Sequence, residues 1–437
     1  MQTKMLKTVF LILILLISPV SVVVFGETND VVIERVEPPH WWVGMNNTEL
    51  ELLIYGKNIG ELQPSINYDG VKIVDIVKPG NKNYQFVKLV INSEAEPGTF
   101  LISFKKEDKQ VLSTEYALKQ RVAGSALRKS FGPEDVFYLL MPDRFANGNP
   151  ENDSVEEMIE KANRTNKDGR HGGDIQGIID RLDYLNDLGI TTIWSTPLLE
   201  SNMEQYSYHG YATTDYYRID PRYGTNRDYY KLSEELHKRN MKLVMDFVPN
   251  HCGLNHWWIN DLPMEDWIHQ YPEFTRTNYR ISTVNDPYVS EYDYNLNVNG
   301  WFDVSMPDLN QENEHVLTYL KQMAIFWIEQ ANLDGLRVDT YPYNDKWKAA
   351  EWAQAILNEY PNINLVGECW QHRPAEIAYW QKDVHNYDSF NSYLPSVMDF
   401  PLTDAYMEAF NEDEASWDGG VTKIYNNLVM DYLYADP

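Results

Sequence analysis

Three short segments carry side chains that could act together on one bond. Asp246 and His251 lie in Met245-Asp246-Phe247-Val248-Pro249-Asn250-His251, Arg337 and Asp339 in Gly335-Leu336-Arg337-Val338-Asp339, and Glu368 in Gly367-Glu368-Cys369-Trp370. Each segment reads as a short buried strand with its charge at or near the carboxyl end, which is where barrel enzymes place their reactive groups. On an extended backbone Arg337 and Asp339, two apart, share one face while Leu336 and Val338 share the other. A lone acid at a strand end is most often a solvated loop residue or a helix cap. Three successive strand ends bearing Asp, Arg with Asp, and Glu are hard to explain that way. Two carboxyls converging on one cleft suit glycoside hydrolysis, in which one attacks the sugar or activates water and the other protonates the departing oxygen. Arg337 would keep Asp339 ionised and aimed, as a nucleophile must be. Glu368, beside the apolar Trp370 and a second carboxylate, is placed to keep its proton near neutrality. A carboxyl separation of about 5 to 5.5 Å would make the reaction retaining, through a covalent glycosyl-enzyme. The competing structural reading is a buried Arg337–Asp339 ion pair inside a barrel.

The elements that must position these groups show in the rhythm of apolar residues. From Val136 to Met141, Ile190 to Trp194, Lys242 to Val248, Gly335 to Asp339 and Asn364 to Gly367 the chain reads as short strands. Between them run helical stripes. Ile175, Ile178, Ile179, Leu182, Leu185 and Leu188 form one stopping at Gly189; Leu232 and Leu236 mark another, Val316 to Ala331 a third, and Trp352 to Ile356 a fourth. The alternation implies a parallel sheet covered by helices, open or closed, with five or six strands in view. The strand ending at Val248 is followed by some sixty residues before the next helix begins near Gln311, an insertion of a length that is usually functional. Ahead of all this, about Val31 to Arg121 alternates at period two, with turns at Asp69-Gly70 and Pro79-Gly80-Asn81. That pattern describes a small antiparallel sandwich, independent of the rest of the chain.

With 437 residues, 43% of them hydrophobic, the chain can bury one large core and a satellite domain. The formal charge of −28 is spread along the sequence, which argues against a nucleic-acid partner. Lys4 and Lys7 precede an apolar run from Val9 to Ile17, then Pro19 and Val24-Phe25-Gly26, and residues 1–26 read as a secretory signal peptide of an exported, periplasmic or secreted protein. The run falls short of the roughly 20 residues of a spanning helix, so no membrane span is expected in the mature chain. Cys252 and Cys369 follow motifs on different strands and are expected to be free thiols.

The segments Asp246 to His251, Gly335 to Asp339 and Gly367 to Trp370 resemble the first, second and third signature regions of the α-amylase superfamily (glycoside hydrolase family 13). Met306-Pro307-Asp308-Leu309-Asn310 is similar to the marker of its neopullulanase, cyclomaltodextrinase and maltogenic amylase branch, and Val36-Glu37-Pro38-Pro39-His40-Trp41-Trp42-Val43-Gly44-Met45 to that branch's amino-terminal domain. The resemblance implies an α/β fold: a (β/α)8 TIM barrel over 125–437, incomplete at its carboxyl end, with a domain B inserted at about 252–305. A small all-β immunoglobulin-like sandwich over 27–124 precedes it. It implies Asp339 as nucleophile, Glu368 as acid/base and Arg337 as the arginine that orients the nucleophile. His251, Tyr211 and His209 match residues that hold the glucose ring beside the scissile bond, and Trp370 borders the leaving-group side. Asp246 matches a residue that holds the barrel mouth together, while Pro197 and the strand from Ile190 match scaffold. The implied substrate is an α-1,4-linked glucan: maltooligosaccharides, cyclomaltodextrins, pullulan or starch. A 4-α-glucanotransferase and a non-catalytic barrel that binds glucan or protein are the alternatives, and relatives suggest a homodimer through the amino-terminal domain.

Two further expectations come from the same resemblance. Asp143 to Asp153 packs several amide and carboxylate oxygens into one turn, by itself a surface loop but chemically suited to a hard cation. The resemblance assigns structural Ca²⁺ to Asn147, Asn149, Asn152, Asp153, Gly172 and Asp174. The family's third catalytic aspartate, which follows Asn-His, has no counterpart among the 437 residues. The expectation is a truncated chain with little activity alone, and an active one when extended by about 180 residues.

Overall fold

The computed structural model describes residues 22–24, 31–413 and 416–436. The signal-peptide reading therefore lies outside the described residues, except for Val22–Val24, a strand paired antiparallel with Leu112 to Thr114. No helix among the described residues is long and apolar enough to cross a membrane.

The amino-terminal domain is a β-sandwich. One sheet holds Arg35–Glu37, Glu49–Tyr55, Tyr84–Ile91 and Val71–Val77; the other is built on Gln63–Ile66, Gly98–Lys106 and Lys109–Gln120. Leu50, Leu52 and Ile54 enter the core as the alternation requires, but Glu51 is buried as well. The sandwich also packs on the barrel, whose helix Glu314–Gln330 covers the face that carries Glu51. Gln322 exchanges two 2.7 Å hydrogen bonds with the Glu51 backbone, and His315 Nδ1 meets the Glu51 carboxylate at 2.9 Å. Tyr319 donates to Glu37 at 2.6 Å, and Arg35 reaches Asp215 at 2.7 Å. Such buried polar groups need partners, and here the second domain supplies them.

The second domain holds, among the described residues, one six-stranded sheet, β1 Phe137–Leu140, β2 Thr192–Ser195, β3 Lys242–Phe247, β4 Gly335–Val338, β5 Asn364–Gly367 and β6 Ser396–Val397, beside a small hairpin of Leu199–Glu200 and Asp215–Ile219. They pair parallel in chain order, β1 through β6, without reversal. A doubly wound sheet would reverse its order at a switch point; steady progression in one direction is that of barrel staves. Among the described residues β1 and β6 each pair on one side only, so the barrel is open there. Helices Asn226–His237, Glu314–Gln330 and Lys346–Glu359 cover the staves where the stripes place them. The stripe from Ile175 is not one helix but two, Ile175–Ile179 and Leu182–Asp187. A tight turn at Asp180 and Arg181 breaks it while Ile175, Ile178, Leu182 and Leu185 all stay fully buried. Apolar spacing survives such a break, so periodicity could not reveal it. The segment between β3 and the Glu314–Gln330 helix folds around buried Trp258 and Trp267 and includes the helix Glu291–Asn299.

Candidate active site

Strand register brings the chemistry together. Asp246 on β3 is paired with Arg337 on β4, and Val338 with Gly367 on β5, so Asp339 and Glu368 stand side by side one residue beyond their strands. The ladder continues past the strand ends, with Asp339 N–H donating to Phe247 at 2.8 Å and Glu368 N–H to Val338 at 2.9 Å. Neighbouring strands lie roughly 4.8 Å apart, so the two residues start from adjacent backbone positions.

One guanidinium serves three carboxyls. Arg337 Nη1 donates to Asp246 at 2.9 Å and to Asp339 at 2.6 Å, and Nη2 lies 2.6 Å from Glu368 Oε1. All four side chains are largely buried. A structural ion pair needs one carboxylate; three on one cation leave an excess of negative charge that the site must relieve by holding protons. Burial and the Asp339 charge push Glu368 up to about 7, against the pull of Arg337 and of a Thr340 N–H. Burial likewise raises Asp246 to about 6, Arg337 opposing. Asp246 is tied further by Trp194 Nε1 at 3.0 Å and the Tyr211 hydroxyl at 3.1 Å, while the Arg337 guanidinium lies 5.1 Å over the Trp194 ring. These contacts fit Asp246 as a brace. Carboxyl groups raised by burial beside a specific charge partner at a barrel mouth mark a candidate functional site.

The residues expected to touch a ligand gather around this cluster. His209 is pushed down to about 4 by burial, and its Nδ1 accepts the Tyr211 N–H at 3.0 Å. His251 is also held below its ordinary value by burial. It stands between two acceptors, Asn250 Oδ1 at 3.0 Å and the Tyr211 carbonyl at 3.2 Å. A neutral ring carries one N–H and donates to only one of them at a time. Asp308 of the marker segment takes Asn250 Nδ2 at 3.0 Å and His269 Nδ1 at 2.7 Å, so that segment reaches His251 through Asn250. Trp370 stands apart from these contacts, 59% exposed and stacked on Phe400 at 5.1 Å. Sequence reasoning missed Thr340, which bonds both acids, and Phe302, which stacks on His251 at 5.2 Å and meets Tyr343 at 5.4 Å. It also read Trp194 as scaffold only. Nothing in spacing marks Phe302, which comes from the insertion.

The proposed cation loop gathers as a turn. Asn147 Nδ2 donates to Asp153 Oδ1 at 2.6 Å, and Gly172, at φ +86°, lies so near Asp153 that a Cβ would meet its carboxylate at 2.5 Å. Asn147 Oδ1 and Asn152 Oδ1 are buried without a hydrogen-bond partner, an arrangement a hard cation would satisfy. Asn149 accepts from Glu151 N–H at 3.3 Å. Asp174 spends its oxygens on the N–H groups of Gly148, Asn149 and Gly177 and caps the helix Ile175–Ile179. Among the described residues no group of three or more His, Cys, Asp or Glu could hold a metal; the donors of this loop are chiefly amides. Both cysteines are free and buried.

Carboxyls at the ends of parallel staves, gathered on one arginine beneath histidines and aromatic rings, define the mouth of a glycosidase-type barrel. The chain belongs to the alpha-amylase family: residues 139–432 match the model of the alpha amylase catalytic domain, and residues 35–122 that of the cyclomaltodextrinase N-terminal domain. It is 33% identical over 295 residues to neopullulanase 2 of Thermoactinomyces vulgaris, covering 64% of this chain and 46% of the relative. It is 31% identical over 320 residues to a cyclomaltodextrinase of Thermoanaerobacter pseudethanolicus, covering 69% and 50%. Among solved structures it is similar to an Anoxybacillus alpha-amylase, with a TM-score of 0.56 and 34% identity over 69% of this chain and 59% of that one. The alpha-amylase of Geobacillus thermoleovorans, solved with acarbose, gives a TM-score of 0.54 and 31% identity over the same shares. The chain spans about half the length of these two curated relatives.

Proposed function

We propose that this chain supplies the nucleophile and the acid/base of a retaining glycosidase acting on α-1,4-linked glucans, cyclomaltodextrins and pullulan among them. The observation that carries the reading is the single guanidinium shared by Asp246, Asp339 and Glu368 at adjoining strand ends. Asp339, braced by Arg337, attacks the anomeric carbon. Glu368, protonated below about pH 7, gives its proton to the departing oxygen and then takes one from the water that releases the sugar. His251 and His209, both neutral, meet sugar hydroxyls, and Tyr211 packs beneath the ring. The names of the relatives support the substrate class.

A glycosyl fluoride tests the assignment, because fluoride leaves without a proton. With α-maltosyl fluoride we expect slow fluoride release that Asp339→Asn abolishes. Glu368→Gln should depress maltooligosaccharide cleavage far more than fluoride release. Equal release from wild type and Asp339→Asn would overturn the reading. Because the sequence has no Asn-His-Asp triplet, turnover of natural glucans by these 437 residues is expected to be low, and fast turnover would contradict that expectation.

We also propose Ca²⁺ at Asn147, Asn152 and Asp153, supported by the two orphaned amide oxygens. Asp174 caps a helix, so replacing it lowers stability with or without metal; Asn152→Ala is the informative change. Calcium should raise Tm in wild type and not in Asn152→Ala, and a wild-type Tm indifferent to calcium and to chelator would remove the site.

A further inference from the structure

Thr340 directly follows Asp339 and is held at φ 46°, ψ 37°. The left-handed region is a genuine outlier for a β-branched residue, and such strain persists only where the surroundings over-determine it. The turn Tyr341–Tyr343 that begins here does not explain the choice of side chain, because glycine would serve that turn without strain. What glycine lacks is the hydroxyl. Thr340 Oγ1 donates to Asp339 Oδ2 at 3.1 Å, while its main-chain N–H donates to Glu368 Oε2 at 2.9 Å. The residue is buried and thus bonds both acids at once, from two different groups.

The geometry matters for attack. A carboxylate held by one oxygen can turn about its terminal torsion, whose energy well is broad. Arg337 holds Oδ1 of Asp339 at 2.6 Å, and Thr340 holds Oδ2, so the plane of the group is fixed from both sides. Oδ2 keeps a second lone pair for the anomeric carbon. Resting on the assignment of Asp339 and Glu368 proposed above, we infer that Thr340 is a positioning residue: its hydroxyl sets the plane of the nucleophile and its N–H sets Glu368 against it. In the step concerned, an Asp339 Oδ2 pair forms the C–O bond to the anomeric carbon. The bond to the leaving atom breaks, and that atom departs with its electrons, as fluoride in the probe.

The test uses the full chain with α-maltosyl fluoride, reading kcat, KM and Tm for Thr340→Val, Thr340→Ser and Thr340→Gly. Val keeps the shape and loses the hydroxyl, Ser keeps the hydroxyl, and Gly relieves the backbone and stands in if the Val chain does not fold. Misplaced reacting groups lose rate steeply. We expect Val and Gly to lower kcat about tenfold or more with KM nearly unchanged, Ser to stay within about threefold of wild type, and Gly to melt no lower than wild type. Wild-type kcat in Thr340→Val, or a Ser variant as impaired as Val, overturns the inference alone. Fluoride release that does not depend on Asp339 overturns the nucleophile assignment and this inference with it.

Discussion

Replacing Arg337 by Leu should make stability sharply dependent on pH. In the native chain one guanidinium faces three carboxyls, and burial already raises Glu368 to about 7 and Asp246 to about 6. Both folded values lie above the ordinary carboxyl range, so the folded state binds protons more tightly than the unfolded chain. Their contribution is fully present below about pH 4 and is lost as pH rises through about 6 to 7. Without Arg337 the cluster has no cation. At pH 8 the variant must bury like charges unpaired, which costs about 3–5 kcal/mol for a broken buried pair. At pH 5 protons replace the guanidinium, and the remaining loss is that of hydrogen bonds, about 1–2 kcal/mol. The destabilisation should thus be about 2–3 kcal/mol larger at pH 8. Urea unfolding of wild type and Arg337→Leu, followed by tryptophan fluorescence at both pH values, reads this difference directly. Equal destabilisation at pH 5 and pH 8 would mean that the three carboxyls do not share the arginine.

Two other outcomes rest on the packing. Glu37, raised to about 7 mainly by burial at the junction of sandwich and barrel, should make wild-type stability fall between about pH 5 and pH 8, by on the order of 1–3 kcal/mol. Glu37→Gln should flatten that slope, and an unchanged slope would contradict the assignment. A Cβ on Gly177 would stand 2.0 Å from the Ala146 carbonyl oxygen. Gly177→Ala should therefore cost about 1–3 kcal/mol, and an unchanged Tm would refute that contact.

The part of the site built on strands was legible because register follows from the strands themselves. Asp246, Arg337, Asp339 and Glu368 lie at or near the carboxyl ends of apolar runs, and parallel pairing of consecutive runs brings such ends to one level. Thr340 was not legible, since its role rests on a left-handed backbone that sequence does not announce for threonine. Phe302 was hidden because it approaches His251 from the insertion, where no periodicity fixes position. The burial of Glu51 was hidden for a related reason. Alternation within a strand reports one buried face, and the other face was buried by a helix more than two hundred residues away. The Asn147 to Asp153 turn was chemically suggestive, and no periodicity marks Asp174 as the cap of the helix Ile175–Ile179, where its oxygens meet main-chain amides.

The central claim is that Asp339 forms a bond to sugar. Incubation with 5-fluoro-α-D-glucosyl fluoride, whose second fluorine slows release of the covalent intermediate, followed by proteolysis and mass spectrometry, tests it most directly. The account predicts a fluoroglucosyl adduct on the peptide bearing Asp339, absent in Asp339→Asn and retained in Glu368→Gln. An adduct on another acid, or none on wild type while fluoride is released, would contradict it.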